Sequence, residues 1–285
     1  MKEPESMNRS PRMAAPVIAR AVLVMMIAWP ASSQAQAGGP ATPPSGSDST
    51  ALAKQSQNPV SSLISVPLQG NWDFGLGDRD ATGTLLNIQP IMPFAITPST
   101  NIILRLIVPL TSQPGSDGAR VNGMGDIVAT AFFSPAKSGR ITWGAGPVLL
   151  LPAATNNALG TEKFGIGPSV VALIQPGPWT VGLLFNHIWS TSGADDRSDV
   201  STTLLQPFIN YNLGRGLAVG TIMEASANWK ADETWTAPLL FTISKVALLG
   251  KRPVNFLVGA GPMIASPQGG ASWRFRFTAT LLYPR

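Results

Sequence analysis

From Val60 to the C-terminus, apolar and polar residues alternate with a period of two in segment after segment. Successive side chains of a β-strand point to opposite faces, so each segment predicts a strand with one apolar and one polar face. The predicted strands begin after Val60 and continue at residues 85–94, 102–110, 126–134, 141–151, 164–175, 179–190, 201–211, 217–229, 234–243, 254–264 and 273–285. The sequence therefore predicts an all-β protein.

The last segment, Trp273 to Arg285, shows this alternation most clearly. Its apolar face carries Trp273, Phe275, Phe277, Ala279, Leu281 and Tyr283, and its polar face carries Arg274, Arg276, Thr278 and Thr280. This pattern is compatible with a half-buried strand of a soluble protein and with the closing strand of an outer-membrane barrel.

The connections between the predicted strands alternate in length. Short ones lie at residues 97–99, 137–139, 176–178 and 213–215, and longer polar ones at 78–83, 111–123, 153–162 and 191–199. Short turns on one rim and long loops on the other are typical of bacterial barrels with periplasmic turns and extracellular loops. We therefore expect a transmembrane up-and-down antiparallel β-barrel of about 12 strands, with a short N-terminal helix.

The N-terminal residues have the pattern of a targeting segment. Basic residues precede an apolar run from Ala21 to Ala31, and Ala35-Gln36-Ala37 fits a small-residue cleavage site. The run is shorter than the roughly 20 residues of a spanning helix, which disfavours a membrane anchor. We predict a cleaved signal peptide at 1–37, a periplasmic leader at 38–58 with a short helix near Asp48 to Gln55, and the barrel at 59–285.

Composition supports a membrane barrel over a water-soluble protein. Apolar residues make up 44% of the chain, whereas charged residues make up 12%, about half of their usual share. The chain has no cysteine, which excludes disulfides and thiolate metal sites. Its basic residues are scattered, so the net charge of +5 gives no indication of nucleic-acid binding.

Tryptophans fall at or near the ends of the predicted strands. Aromatic rings prefer the membrane interface, so we expect two aromatic girdles. A soluble β-sandwich would instead favour aromatics in the middle of strands. The expected girdle residues are Trp72, Trp143, Trp179, Trp189, Trp229, Trp235, Trp273 and Tyr283.

Prolines inside predicted strands are the feature that fits a closed barrel least, because proline cannot donate a ladder hydrogen bond. They are Pro67, Pro90, Pro109, Pro147, Pro168, Pro207, Pro238 and Pro262. A Gly-x-Gly-Pro pattern recurs at 144–147, 165–168 and 259–262, where we expect bulges or bends.

The polar faces of the strands are expected to line the lumen. The charged candidates are Asp73, Arg105, Asp126, Glu224, Arg274 and Arg276, and the amide candidates are Gln69, Asn71, Asn87, Gln89, Asn186, Gln206, Asn210 and Asn228. These charges either line a water-filled path or pair with each other and fill the barrel, and both alternatives stand. Closure places the last strand beside the first, so Arg274 or Arg276 should reach Asp73.

Ordered motifs between residues 50 and 285 resemble one bacterial family, the meta-pathway phenol-degradation proteins, whose members are often called transporters or neuromedin U. The resemblance implies an outer-membrane barrel with a role in the uptake of aromatic compounds, and it implies no catalytic residues. The motifs are Asn58-Pro59, Leu63-Ile64-Ser65-Val66-Pro67, Asn87-Ile88-Gln89-Pro90, Phe132-Phe133-Ser134-Pro135, residues 146–153, Gly177-Pro178-Trp179-Thr180, residues 186–190, Leu205-Gln206-Pro207-Phe208 and Leu281-Leu282-Tyr283-Pro284.

Catalysis and metal binding have weaker support in the sequence. His187, the only histidine, is near Ser190, but alternation places His187 on the lipid side, and no nucleophile elbow is present. The carboxylates of residues 195–199 match no complete calcium loop, and a solvated loop is favoured. We therefore expect no enzyme activity, no cofactor and no metal site.

Taken together, these patterns predict a passive outer-membrane channel for small, hydrophobic or aromatic solutes. The alternatives are a barrel enzyme acting on lipids and a structural barrel with a sealed lumen. The expected partners are outer-membrane lipid, the solute and, through the C-terminal strand, the barrel-assembly machinery.

Overall fold

The computed structural model describes residues 46–115, 119–137 and 139–284. The predicted signal peptide, and the leader as far as residue 45, lie outside the described residues. Within the described part, one α-helix precedes fifteen strand segments, and a short 3-10 turn lies at Asn157–Leu159. No helix of this part is both long and apolar enough to cross a membrane.

The helix, α1, spans Gly46–Ser56. The strand segments are β1 (Ile64–Leu76), β2 (Ala81–Ile88), β3 (Ile91–Thr97), β4 (Thr100–Pro114), β5 (Arg120–Met124), β6 (Ile127–Pro135), β7 (Thr142–Leu151), β8 (Lys163–Ile174), β9 (Trp179–Gly193), β10 (Ser201–Gly214), β11 (Leu217–Met223), β12 (Ala225–Asn228), β13 (Trp235–Leu249), β14 (Arg252–Ala265) and β15 (Trp273–Tyr283).

The segments form a closed antiparallel barrel of 12 strands, as the sequence predicted. Three barrel strands are each built from two segments in succession, namely β2 with β3, β5 with β6, and β11 with β12. Closure is made by β1 and β15, which pair from Ile64 opposite Tyr283 to Phe74 opposite Trp273. Every barrel strand is therefore hydrogen-bonded to a strand on each side, which removes exposed sheet edges.

Alternation places apolar residues on the outer face and polar residues on the inner face of β15. Trp273, Phe275 and Phe277 are 36–52% exposed, whereas Arg276, Thr278 and Thr280 are 3–8% exposed. The strand period alone accounts for this separation, because β15 pairs with both neighbours without a register shift.

The three divided strands are interrupted where a neighbouring strand carries a proline. At each interruption a backbone N–H donates to the proline carbonyl, and the proline has no N–H with which to return the second bond of the pair. The ladder therefore stops at that point, which explains three of the prolines that seemed incompatible with a closed barrel. The donor and proline pairs are Gln89 with Pro67, Gly125 with Pro109, and Glu224 with Pro238.

The Gly-x-Gly-Pro motifs mark a second kind of ladder gap. In β6 and β7, pairing skips from Val148 to Ala145 without a shift of register, so the expectation of a bulge is wrong at the 144–147 motif. At the 165–168 motif the register of β8 against β9 does shift, between Phe164 and Gly165. Beside the 259–262 motif the register of β14 against β13 shifts between Met263 and Ala265. A Cβ at the second glycine of each motif would overlap a carbonyl oxygen of the adjacent strand, so only glycine fits this close approach. The glycine and carbonyl pairs are Gly146 with Ala131, Gly167 with His187, and Gly261 with Leu239.

The two rims of the barrel differ as the sequence predicted. The short-turn rim, near Ile64 and Tyr283, lies where β3 is followed by β4, β6 by β7, β8 by β9, β10 by β11 and β13 by β14. The long-loop rim lies where β1 is followed by β2, β4 by β5, β7 by β8, β9 by β10, β12 by β13 and β14 by β15.

Helix α1 covers part of the short-turn rim. Lys54 Nζ donates to the carbonyl oxygens of Gln175 and Gly177 at 3.3 and 2.8 Å, and Ser56 Oγ accepts from Asn255 Nδ2 at 2.9 Å. Asp48 in its first turn and Lys54 in its last turn complement the helix dipole. These contacts hold the C-terminal end of the helix against the barrel, and the helix extends beyond the predicted residues 48–55 at both ends.

Candidate functional site: the barrel lumen

The first feature of the lumen is a pair of charges at the closing seam. Arg274 Nε lies 2.6 Å from Asp73 Oδ1, and Arg274 Nη2 lies 2.8 Å from Asp73 Oδ2. The two residues are directly opposite in the β1–β15 register, so the contact expected from barrel closure is present. This bidentate geometry is the strongest form of a guanidinium and carboxylate contact.

A second contact crosses the lumen between strands that are not neighbours. The Arg276 guanidinium donates to Glu224 Oε1 at 2.7 Å and to Glu224 Oε2 at 2.5 Å, and its Nε donates to Asn71 Oδ1 at 2.7 Å. Glu224 lies in the interruption between β11 and β12, and β13 and β14 separate it from β15. Arg274 Nη1 is 3.6 Å from Glu224 Oε2, so the four charges form one network.

Arg105 is the third lumen arginine and differs from the other two. Its Nη2 donates to Gln89 Oε1 at 2.8 Å. Among the described residues, the salt bridges of the lumen join Arg274 and Arg276 to Asp73 and Glu224, and Arg105 takes part in none of them. A neutral amide therefore faces this guanidinium where the others face carboxylates.

Asp126 is bound by the loop at 152–162 rather than by another lumen charge. Between β5 and β6 the register against β4 shifts by one residue, which produces a bulge at Gly125 and Asp126. The Asp126 carboxylate accepts hydrogen bonds from the backbone N–H groups of Ala154 and Thr161 at 3.2 and 2.6 Å, and from Thr161 Oγ1 at 2.7 Å. Its role is to fasten the loop at 152–162 to the barrel wall.

A cavity of about 300 Å³ lies beside the charged network. Its polar lining, here called the polar wall, consists of the amides Gln69, Asn87, Gln89 and Gln206, the charged residues Arg105, Glu224 and Arg276, and the hydroxyl residues Ser56, Thr278 and Thr280. Its apolar lining, the apolar wall, consists of Pro59, Pro67, Ile91, Ile107, Leu184, Leu204, Phe208, Ile222 and Leu257. Of the other amide candidates, Asn71 is buried against Arg276, Asn186 lies opposite Ser169 and Leu204, Asn210 lies opposite Gly220, and Asn228 lies at the long-loop rim.

An apolar cluster fills the lumen between this cavity and the short-turn rim. Its centre includes Val60, which follows α1 in the chain and is 7% exposed. The other buried members come from five barrel strands and are Ile103, Phe132, Val171, Leu173, Leu184 and Phe208. We call residues 46–63 the plug segment, because this stretch of chain covers the short-turn rim with α1 and places Val60 in the lumen without belonging to the barrel wall.

Sequence reasoning missed Val60. The available signal was an apolar residue directly after Asn58-Pro59, between the helix and the first strand.

The aromatic candidates lie on the outer face toward the two rims. Trp143, Trp179 and Tyr283 are near the short-turn rim, and Trp72, Trp189, Trp229, Trp235 and Trp273 lie toward the long-loop rim. Ring contacts link Trp72 with Phe275 and Trp229 with Trp235, at centroid distances of 5.6 and 6.0 Å.

His187 lies on the outer face, beside Trp189, with ring centroids 4.1 Å apart. Its Nδ1 is 2.7 Å from Thr203 Oγ1, and its Nε2 is 3.4 Å from Ser201 Oγ. Thr203 Oγ1 also accepts from Trp229 Nε1 at 2.8 Å. Sequence proximity had suggested Ser190, but Ser201 is the serine beside this histidine, and only the pairing of β9 with β10 reveals it.

The carboxylates at 195–199 are partly engaged by basic residues. Lys163 Nζ lies 3.3 Å from Asp199 Oδ1, and this hydrogen bond and charge lower the pKa of Asp199. Arg197 donates to the carbonyl oxygens of Asn157 and Gly160, which joins this loop to the loop at 152–162. Throughout the described residues, no group of three or more acidic, histidine or cysteine side chains is placed to hold a metal ion.

The closed barrel and its polar lumen define the class of protein, a 12-stranded barrel with the fold of outer-membrane barrels. Among solved structures, an outer membrane channel from Pseudomonas putida F1 is similar, with a TM-score of 0.60 and 15% identity over 78% of this chain and 94% of that chain. The outer membrane phospholipase A from Escherichia coli gives a TM-score of 0.43 and 10% identity over 78% of this chain and 96% of that chain, a level that carries no inference. No family model and no curated protein matches the chain.

Proposed function

We propose that this protein is a passive outer-membrane channel for small solutes. The observation that carries the proposal is the cavity inside a closed barrel, because a purely structural barrel gains nothing from a cavity lined by amides and by an arginine whose partner is a neutral amide. The likeness to an outer membrane channel supports the fold that such a function needs.

The proposed location is the outer membrane, reached after export with a cleaved signal peptide. The outward tryptophans near both rims support it, since they would lie at the two lipid interfaces. In this orientation the short-turn rim and α1 face the periplasm. The β15 strand, with Tyr283 near its end, would be the segment that the barrel-assembly machinery recognises.

The proposed solutes are small and carry an apolar part. Support comes from the cavity, whose apolar wall is at least as extensive as its polar wall, and from the resemblance to a family named for phenol degradation. A cavity of about 300 Å³ lies at the lower end of the range for ligand sites, which favours small molecules.

Passage requires the plug segment to move, because Val60 and α1 close the short-turn end. The test is conductance in planar bilayers of the full chain and of a variant that lacks residues 46–60, each first shown to be folded by heat-modifiable migration on gels. We expect low conductance from the full chain and a clear increase in the variant. If neither protein conducts, the barrel is sealed and the channel proposal fails.

A second candidate, an enzyme acting on lipids, is favoured by one observation, the outer-face grouping of Ser201, His187 and Thr203. A histidine between a serine and an orienting hydroxyl is the arrangement of a nucleophile and its base. The test is phospholipid hydrolysis by the purified protein, with Ser201→Ala compared against Ser226→Ala, a serine on the neighbouring strand whose hydroxyl bonds the carbonyl of Thr236. Hydrolysis that only Ser201→Ala abolishes would support the enzyme; no hydrolysis would exclude it.

A further inference from the structure

The charges around the lumen cavity do not balance. Arg105, Arg276 and Glu224 all line it, and Glu224 binds Arg276 through both carboxylate oxygens. In the remaining pair, the charges of Asp73 and Arg274 compensate each other. The positive charge of Arg105 therefore has only a neutral hydrogen-bond partner, Gln89, in a partly buried site. A cation in such a site strongly favours a ligand that brings one negative charge.

The neighbours of Arg105 add geometric requirements. The side-chain amides of Gln69, Asn87 and Gln206 line the same cavity and can donate to a second ligand oxygen. Leu184, Phe208 and the other apolar residues that line the cavity offer no hydrogen bonds, so part of the ligand must be apolar. A guanidinium matches the two coplanar oxygens of a carboxylate better than a point charge would.

We infer that the cavity binds a small monocarboxylate with an apolar body, whose carboxylate contacts the Arg105 guanidinium. A dianion such as phosphate would bring more charge than Arg105 compensates and would face Glu224. A neutral molecule would leave the guanidinium with only Gln89, and a cation would be repelled by it. The site gives the proposed channel its solute class and in that sense rests on the proposed function.

The test is equilibrium dialysis of the purified full-length barrel in detergent, with radiolabelled ligands and times long enough for slow entry. Benzoate is the probe, benzamide is its uncharged counterpart of the same shape, and acetate lacks the apolar body. Inorganic phosphate tests the dianion. The variants are Arg105→Gln, Arg105→Lys and, as a control for loss of one positive charge, Arg140→Gln at the exposed turn between β6 and β7.

We expect saturable binding of one benzoate per chain, with benzamide, acetate and phosphate at least about tenfold weaker. Arg105→Gln should weaken benzoate binding by at least about tenfold, Arg105→Lys by less, and Arg140→Gln not at all. Equal binding of benzoate and benzamide to the unchanged protein would overturn the inference without any variant, as would unchanged benzoate binding by folded Arg105→Gln.

Failure of this inference and failure of the channel proposal are separable. Conductance without benzoate binding would refute the carboxylate site and leave the channel intact. Benzoate binding without conductance, even in the variant lacking residues 46–60, would uphold the site and refute the channel.

Discussion

Replacing Val60 with alanine should increase the fraction of time that the channel is open. Val60 is 7% exposed in the apolar cluster, and displacement of the plug segment would expose it to water. Val60→Ala removes two buried methyl groups, which weakens the closed state by about 1.6 kcal/mol at about 0.8 kcal/mol per group. The ratio of open to closed states should therefore rise roughly 14-fold.

The assay is single-channel recording at fixed voltage, with open probability as the measured quantity. Val258→Ala is the matched control, because this substitution makes the same change in side-chain size on the outer face, where Val258 is 40% exposed. We expect Val258→Ala to behave like the unchanged protein. An open probability for Val60→Ala within twofold of the unchanged protein would refute the reasoning that burial of Val60 holds the plug segment in place.

Three further predictions concern the barrel wall and its charges. Glu224→Gln leaves the charge of a buried guanidinium uncompensated. The reversal potential in a salt gradient should therefore shift toward greater anion selectivity, and the free energy of unfolding should fall by about 3 kcal/mol. Unchanged ion selectivity would contradict this prediction. Asp73→Asn breaks the bidentate seam contact with Arg274, so the unfolding temperature on heat-modifiable gels should fall, whereas Asp78→Asn in the exposed loop should leave it unchanged. Gly167→Ala should lower stability measured in urea by several kcal/mol, as its Cβ overlaps a carbonyl oxygen, and Gly139→Ala, which meets nothing within 4 Å, should be neutral.

The barrel, and the residues on its inner face, could be predicted from the period-two alternation of the sequence. This alternation depends only on strand geometry and on a continuous register. The contact of Asp73 with Arg274 followed from the same logic, since closure brings the first and last strands together. The contacts of Asp126 could not be predicted in this way, because they join a bulge in the strand to a loop that alternation does not describe. The contacts of Val60 and Ser201 were equally invisible, because each joins segments that alternation treats separately.

The prolines connect the sequence to the site. Pro67 and Pro238 mark the points where the ladder opens, and the residues across from them, Gln89 and Glu224, contact the lumen arginines Arg105 and Arg276. A residue at an interrupted ladder is not bound to two neighbours by regular pairing. The same sequence feature that weakens the sheet thus coincides with the polar groups of the cavity.

The central claim is that solutes pass through the lumen and that the plug segment, residues 46–63, controls this passage. The most direct test is to tether the plug segment to the barrel wall. A Cβ built at Gly144 lies 2.9 Å from Val60 Cγ1, close enough for a disulfide in the double variant Val60→Cys and Gly144→Cys. The chain has no other cysteine, so the bond can form only between these two sites within a molecule.

The measurement is bilayer conductance of this variant before and after reduction, with the two single-cysteine variants as controls. The account predicts that the oxidised protein is closed, that reduction opens it, and that the single variants do not respond to reduction. Equal conductance of the oxidised and reduced forms, with the disulfide verified by mass spectrometry, would contradict it.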